Sequence, residues 1–196
     1  MVSRLRMRPR QRLVDLGCGT GGAGLWLARA LGAELDGIDI PPVAVSLADR
    51  RAHQFLPAGR ATFHVGTLGE TGLDSASADG VICADAFSFA PDGRAALEEL
   101  RRIPRPGARA LITSPDRHPA SSKPWDRVGL ELEAEGERPH VPGMWRRLYR
   151  LWADHEDELR NVLGEAQAER MIGEARRRAP EMDYRRFSVA TVRRPA

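Results

Sequence analysis

Cysteine is nearly missing from this sequence: two in 196 residues, Cys18 and Cys83, with no CxxC or CxxxC spacing. Two well-separated thiols in a reducing compartment are expected to be free rather than bridged. The five histidines are scattered and join no ligand cluster, so no metal site is expected. Lysine is scarcer still. Lys123 is the one lysine among 30 basic residues, a skew that reads as GC-rich codon usage rather than chemistry. No apolar run approaches the ~20 residues that would span a bilayer. The opening "MVSRLRMRPRQR" has basic residues with no apolar core behind them, so it does not read as a secretory signal. A cytoplasmic chain without a membrane partner is the expectation.

Hydrophobic residues make up 42% and charged residues 29%, ordinary proportions for a globular protein, and the length suits a single domain over residues 1–196 with its own core. Arginines gather in "RLRMRPRQR", in "ARRRAP" and near the C-terminus, a distribution that raises nucleic acid as a partner. Against it, the net charge is only +3, acids are interleaved, and no aromatic stacking platform accompanies the arginines. Nucleic acid is therefore not the expected partner.

Short apolar runs alternate with helical patterns, the signature of βα units on a largely parallel sheet. "RLVDLG" reads as a first strand, feeding a glycine loop and a helix through "GLWLARALGA" that Gly32 stops. "ELDGIDI" is a second strand and "PPVAVSLADRRAHQF" a second helix, its prolines suited to a first turn. "ATFHVGTL", "DGVICADAF" and "ARALITS" are further strands, with the helix "GRAALEELRRI" before the last and ended by Pro104. Beyond residue 115 the rhythm changes. A Pro- and Ser-rich loop leads to a strand in "GLELEAEGER", two helices over 143–163 and 165–177, and a closing strand in "YRRFSVATVRR".

The stretch "VDLGCGTGGAG", residues 14–24, carries five glycines between a strand and a helix. Such a turn lets backbone amides and a helix N-terminus approach a ligand closely. Gly17, Gly19 and Gly22 fit G-x-G-x-x-G, and Asp39 follows at the end of the second strand, where its carboxylate could accept bonds from ribose hydroxyls. The pattern alone admits NAD, FAD or another adenosine-containing ligand. Asp15, just ahead of the first glycine, would repel a pyrophosphate and suits a ligand with a cationic head.

The same stretch resembles the D-x-G-x-G-x-G motif of class I S-adenosylmethionine-dependent methyltransferases. The resemblance continues through "GIDI", "FHVGTL", "DGVICADAF" and "LRRIPRPGARALITS", and covers about residues 10 to 115. It implies a Rossmann-like α/β fold: a doubly wound, mostly parallel seven-stranded sheet with an antiparallel last strand and a two-helix insertion, at about 143–178, before it. Residues 1–115 would form the cofactor-binding half and 116–196 the substrate side. By the resemblance, Asp15, Gly17, Cys18, Gly19 and Gly21 would cradle the methionine portion of S-adenosyl-L-methionine. Asp39 would bind the ribose with Ile40 against the adenine, Thr67 and Leu68 would stand at the adenine edge, and Ala84 and Asp85 beside the methionine end. The departures from the family's pattern are Thr67 for a frequent aspartate and Ala108 for the second glycine of a P-G-G turn. Where many relatives carry several dozen residues ahead of the first strand, this sequence has about eleven. Either the site is open, or a partner subunit such as a second copy in a homodimer closes it, or the chain is a shortened version of a longer one.

Methyl transfer from a sulfonium is an in-line displacement that needs alignment first, and a general base only for a protonated acceptor of high pKa. The candidate base or polar contact is His118, followed by Asp85, His155, Glu156 and Tyr149. At helical spacing Trp145, Leu148, Tyr149, Trp152, Leu159 and Leu163 share a stripe with Glu156 within it. Two readings stand: aromatics packed as core, or an aromatic lid over an apolar substrate. The leading function is methylation of a small-molecule acceptor on oxygen, nitrogen or carbon, as in secondary metabolism. The acceptor motif N-P-P followed by Tyr or Phe, typical of enzymes that methylate amino groups of nucleic acids and proteins, is replaced by "ADAF". The alternatives are a cofactor-binding fold that catalyses cyclisation, elimination or isomerisation, and a non-catalytic scaffold.

Overall fold

The computed structural model describes residues 2–116 and 125–196. These fall into two compact units. One holds the described residues up to Ser114, those from 125 to Gly136, and Val189–Ala196; the other is built on Glu137–Ser188.

The first unit is organised by a sheet. After a short helix α1 (Val2–Leu5), strand β1 (Arg12–Leu16) pairs in parallel with β2 (Glu34–Asp39) in the register Leu13↔Leu35 and Asp15↔Gly37. Strand β3 (Ala61–Val65) extends the sheet beyond β2, and β4 (Ala78–Ala84) lies on the other side of β1. Strand β5 (Pro104–Asp116) follows β4 in parallel, with Ala84 opposite Thr113. The complete order is β3-β2-β1-β4-β5-β7-β6, where β6 is Glu131–Glu137 and β7, Arg186–Arg193, is antiparallel. This is the α/β fold expected from the motif order. The order turns back at β1, between β2 and β4, and at such a point the strand ends leave a crevice for ligands.

Central strands read as continuous apolar runs because both faces are covered. On one face Val14, Leu16, Val81 and Ile112 pack with Ala96 and Leu100 of helix α4 (Gly93–Arg102). On the other, Leu13, Ile82 and Leu111 pack with Leu25 and Ala28 of helix α2 (Gly22–Leu31). Gly32 ends α2 as expected, in a left-handed conformation with its amide turned back to the carbonyls of Ala28 and Arg29. Helix α3 (Pro42–Ala52) starts on its prolines, and Asp92 caps α4 by accepting from the amides of Arg94 and Ala95.

The second unit contains helices α5 (Val141–Asp154), α6 (Glu156–Leu163) and α7 (Glu165–Arg178) and a 3-10 turn at Ala179–Asp183. Its core is Val141, Tyr149, Ala175, Met182 and Phe187, with Trp145 and Trp152 packed against them.

Three details differ from the sequence reading. The helix expected over 143–163 is interrupted at His155, whose φ of −117° and ψ of 31° are not helical, so the insertion carries three helices rather than two. Glu156, Asp157 and Glu158 crowd one turn just beyond it, and three acids favour a new helix N-terminus over a continued helix. The third strand stops at Val65, and Thr67 instead bridges Glu70 in a turn. Finally, "YRRFSVATVRR", where Phe187, Val189 and Thr191 read as one face of an alternating strand, is buried without alternation from Phe187 to Val192, as in a strand covered on both faces.

Candidate active site

The glycine loop runs from the end of β1 to the start of α2. It is pinned first by its own backbone: the amides of Gly17 and Cys18 both donate to the carbonyl of Ile38, at 2.8 and 3.0 Å. This brings the loop against the end of β2. There the amide of Gly19 donates to Asp39 Oδ2 at 2.5 Å, while Asp39 Oδ1 accepts from the amide of Ile40 at 2.7 Å. Only glycine serves at position 17. Its φ is +75°, and a Cβ there would lie 2.2 Å from the Cβ of Ala86, in the loop after β4. The loop therefore touches both neighbouring strand ends.

Asp15 sits beneath this loop, 1% exposed, with no side-chain or cationic partner for its carboxylate, which faces the backbone of Gly24. Gly24, in the first turn of α2, approaches so closely that a Cβ there would stand 2.5 Å from Asp15 Oδ2. Burial pushes the Asp15 carboxyl up to about 7. The Gly24 amide opposes that shift and the charge of Asp39 adds to it.

The other buried acids of the described residues behave differently. Asp36 is paired to the guanidinium of Arg12. Glu99 accepts from Thr71 (amide 3.1 Å, hydroxyl 2.5 Å) and from Arg102 (Nε 2.6 Å, Nη2 2.7 Å). Burial penalises the Glu99 charge, but Arg102 and Thr71 outweigh that penalty and hold its pKa below the usual range. A buried carboxylate without partners costs several kcal/mol, about 1–3 for each hydrogen bond not made and more for a charge. Strongly perturbed buried groups cluster at functional sites.

Asp85 follows the last residue of β4 and has φ +57°, a left-handed conformation unusual outside glycine. Thr113, fully buried opposite Ala84, holds it there. Thr113 Oγ1 accepts from the Asp85 amide at 2.8 Å and donates to Asp85 Oδ1 at 2.7 Å. Strain of this kind gathers at functional sites. Thr113 was not singled out from the sequence, where it is one more residue in an apolar run.

The remaining candidates are placed as follows. Gly21 is the N-cap of α2 and supplies no side-chain cap to the first turn of that helix. Ile40 is 49% exposed beside Asp39. Thr67 lies in the turn with Glu70, and Leu68 turns its side chain into the core, leaving at most its backbone for a ligand. Cys18 and Cys83 are free and buried, and burial pushes both thiols up to about 12, which makes them poor nucleophiles. His118 lies outside the described residues.

In the helical unit, Tyr149 is buried and donates to Glu174 at 3.2 Å; burial raises its pKa to about 12, unsuited to a base. His155 is exposed with Nδ1 3.2 Å from Glu158, and Glu156 is bound by Arg160. Trp145, Tyr149 and Trp152 pack on one another at 5.4 and 5.5 Å and on the unit's core, which is the core reading of the stripe. Among the described residues no group of His, Cys, Asp and Glu could hold a metal ion, and no helix is long and apolar enough to cross a membrane.

A seven-stranded sheet of order β3-β2-β1-β4-β5-β7-β6 with β7 antiparallel is the Rossmann-like methyltransferase fold, and here its glycine loop is bound to an acid at the end of β2. Residues 13–107 match the family model described as "Methyltransferase domain". An O-methyltransferase from Pyrenophora dematioidea is 30% identical over 112 residues, 57% of this chain and 42% of the relative. The match thus spans less than half of that relative's length. The whole chain superposes on the cyclase SpnF with a TM-score of 0.86 at 17% identity, covering 78% of that structure. It also superposes on phosphoethanolamine N-methyltransferase 2 of Haemonchus contortus, solved with phosphomonomethylethanolamine and S-adenosylhomocysteine. There the TM-score is 0.76 at 16% identity, over 100% of this chain and 51% of the other. At these identities the likeness is one of fold, and the fold serves both cyclisation and methyl transfer.

Proposed function

We propose that this chain is a cytoplasmic S-adenosyl-L-methionine-dependent methyltransferase that acts on a small molecule, with residues 1–115 holding the cofactor. The observation that carries the reading is Asp15, a fully buried carboxylate with no side-chain or cationic partner, in a molecule whose other buried acids among the described residues are paired to arginine. A cationic ligand group would supply what the fold withholds.

The residues fit the cofactor. Asp15 suits its ammonium and sulfonium, the uncapped first turn of α2 suits its carboxylate, and Asp39, bound on each oxygen by one amide, keeps acceptor capacity for ribose hydroxyls. When bound, the group supplies a methyl carbon already activated by a sulfonium. The chain's task is then to orient and to exclude water. Asp85, fixed by Thr113, is the polar group of the described residues best placed to orient a ligand at the end of β4. The O-methyltransferase relative and the methyltransferase family support methyl transfer over cyclisation. The reading is tested by product mass: the acceptor gains one methyl group and S-adenosylhomocysteine is formed. An acceptor of unchanged mass would overturn it.

A further inference from the structure

The helical unit holds a cavity of about 460 Å³ that the methyl-transfer reading does not use. Its apolar lining is Ile172 and Ala175 of α7, Ala179 and Pro180, with Ala153 and Tyr149 from α5. Its rim is cationic. Arg146 and Arg150 stand one turn apart on α5, and Arg176 stands on α7.

The charges of this rim are unevenly matched. Arg146 is bound to Asp183 at 2.6 Å, and Glu156, the one acid lining the cavity, is bound by Arg160. Arg176 reaches Glu156 only at 3.5 Å and Glu169 at 3.9 Å. The Arg150 guanidinium makes no hydrogen bond or ion pair among the described residues. One guanidinium is thus unopposed and a second is loosely held, both at the mouth of an apolar cavity whose volume suits a small organic ligand. An apolar floor gains nothing from a bare inorganic ion, and an unopposed guanidinium gains nothing from a neutral hydrocarbon.

We infer that this cavity is a binding site for a small organic acid, an apolar ring or chain that carries one carboxylate or phosphate, with Arg150 and Arg176 on the acid group and Ile172 and Ala175 under the apolar body. The site lies wholly within the helical unit and stands independently of the methyl-transfer reading.

The test is calorimetric titration of the full chain with 1-naphthyl phosphate, beside inorganic phosphate alone and 1-naphthol alone. Saturable binding of the ester is expected, at least about tenfold tighter than either half, since the two halves use different walls. Arg150→Gln should weaken it about tenfold, and Ala153→Trp, which fills the cavity from an exposed position, should abolish it. Equal affinity for 1-naphthol or for inorganic phosphate, or unchanged binding in Arg150→Gln, would overturn the inference. Should Ala153→Trp fail to fold, Arg150→Gln at an exposed side chain still decides. Vesicles containing phosphatidic acid separate a soluble acid from a lipid headgroup. Capture of the chain by vesicles without any response to 1-naphthyl phosphate would also overturn it.

Discussion

The amide of Gly19 donates to the carboxylate of Asp39 at 2.5 Å, so the ligand-side acid of β2 also fixes the shape of the glycine loop. One side chain therefore serves two purposes, and its loss is felt in both. Asp39→Asn keeps an acceptor for Gly19 and should retain most of the melting temperature. Asp39→Ala should lower it, by the ~1 kcal/mol of a lost hydrogen bond or somewhat more, measured by thermal denaturation.

Asp15 predicts an unusual pH dependence. Its folded pKa of about 7 lies above the ordinary 3.8, so the folded state holds a proton that the unfolded state releases. The stability linked to this group is full below about pH 4, falls as pH rises, and is lost above about pH 7, a change on the order of 4 kcal/mol. Asp15→Asn should therefore melt higher than the native chain at pH 8, with the gap closing toward pH 4. A variant that melts lower at pH 8 would contradict the unpartnered carboxylate.

Gly17→Ala meets both a positive φ and the 2.2 Å approach of Ala86. It should cost roughly 3 kcal/mol or more of stability, read from urea denaturation. The double variant Gly17→Ala with Ala86→Gly removes the collision but not the backbone strain, so it should recover only part of the loss. Full recovery would show that the φ is not constrained.

Thr113→Val deletes both bonds to Asp85 while keeping shape. It should weaken S-adenosylhomocysteine binding about tenfold, and Thr113→Ser should restore it. Equal affinity in the valine variant would remove Asp85 from the cofactor site.

Trp152 separates the core and lid readings of its helix. It packs beside Tyr149 on the cluster of Val141, Met182 and Phe187, so Trp152→Ala should cost about 3 kcal/mol of stability. A raised apparent Michaelis constant with an unchanged melting temperature would favour the lid.

The cofactor half was legible because its information is local. The spacing of Asp15, the glycines and Asp39 lies within a single β-α-β unit, and the later strands repeat one pattern. Thr113 was not legible, since its role depends on a register with Ala84 set across two strands and a helix. The break at His155 was hidden for a different reason. The apolar positions continue in phase from Trp152 to Leu159, so periodicity alone joins α5 to α6, and only the acids that follow betray a new N-terminus. The cavity beside Arg150 was invisible as well, because most of its lining comes from α5 and α7, which are far apart in sequence.

The most direct measurement is calorimetric titration of S-adenosylhomocysteine into the native chain, Asp39→Ala and Asp15→Asn. The account predicts saturable one-to-one binding by the native chain, weakened by about 1–3 kcal/mol in Asp39→Ala and lost or nearly lost in Asp15→Asn. Affinity that is the same in all three proteins, or no binding by the native chain, would contradict it.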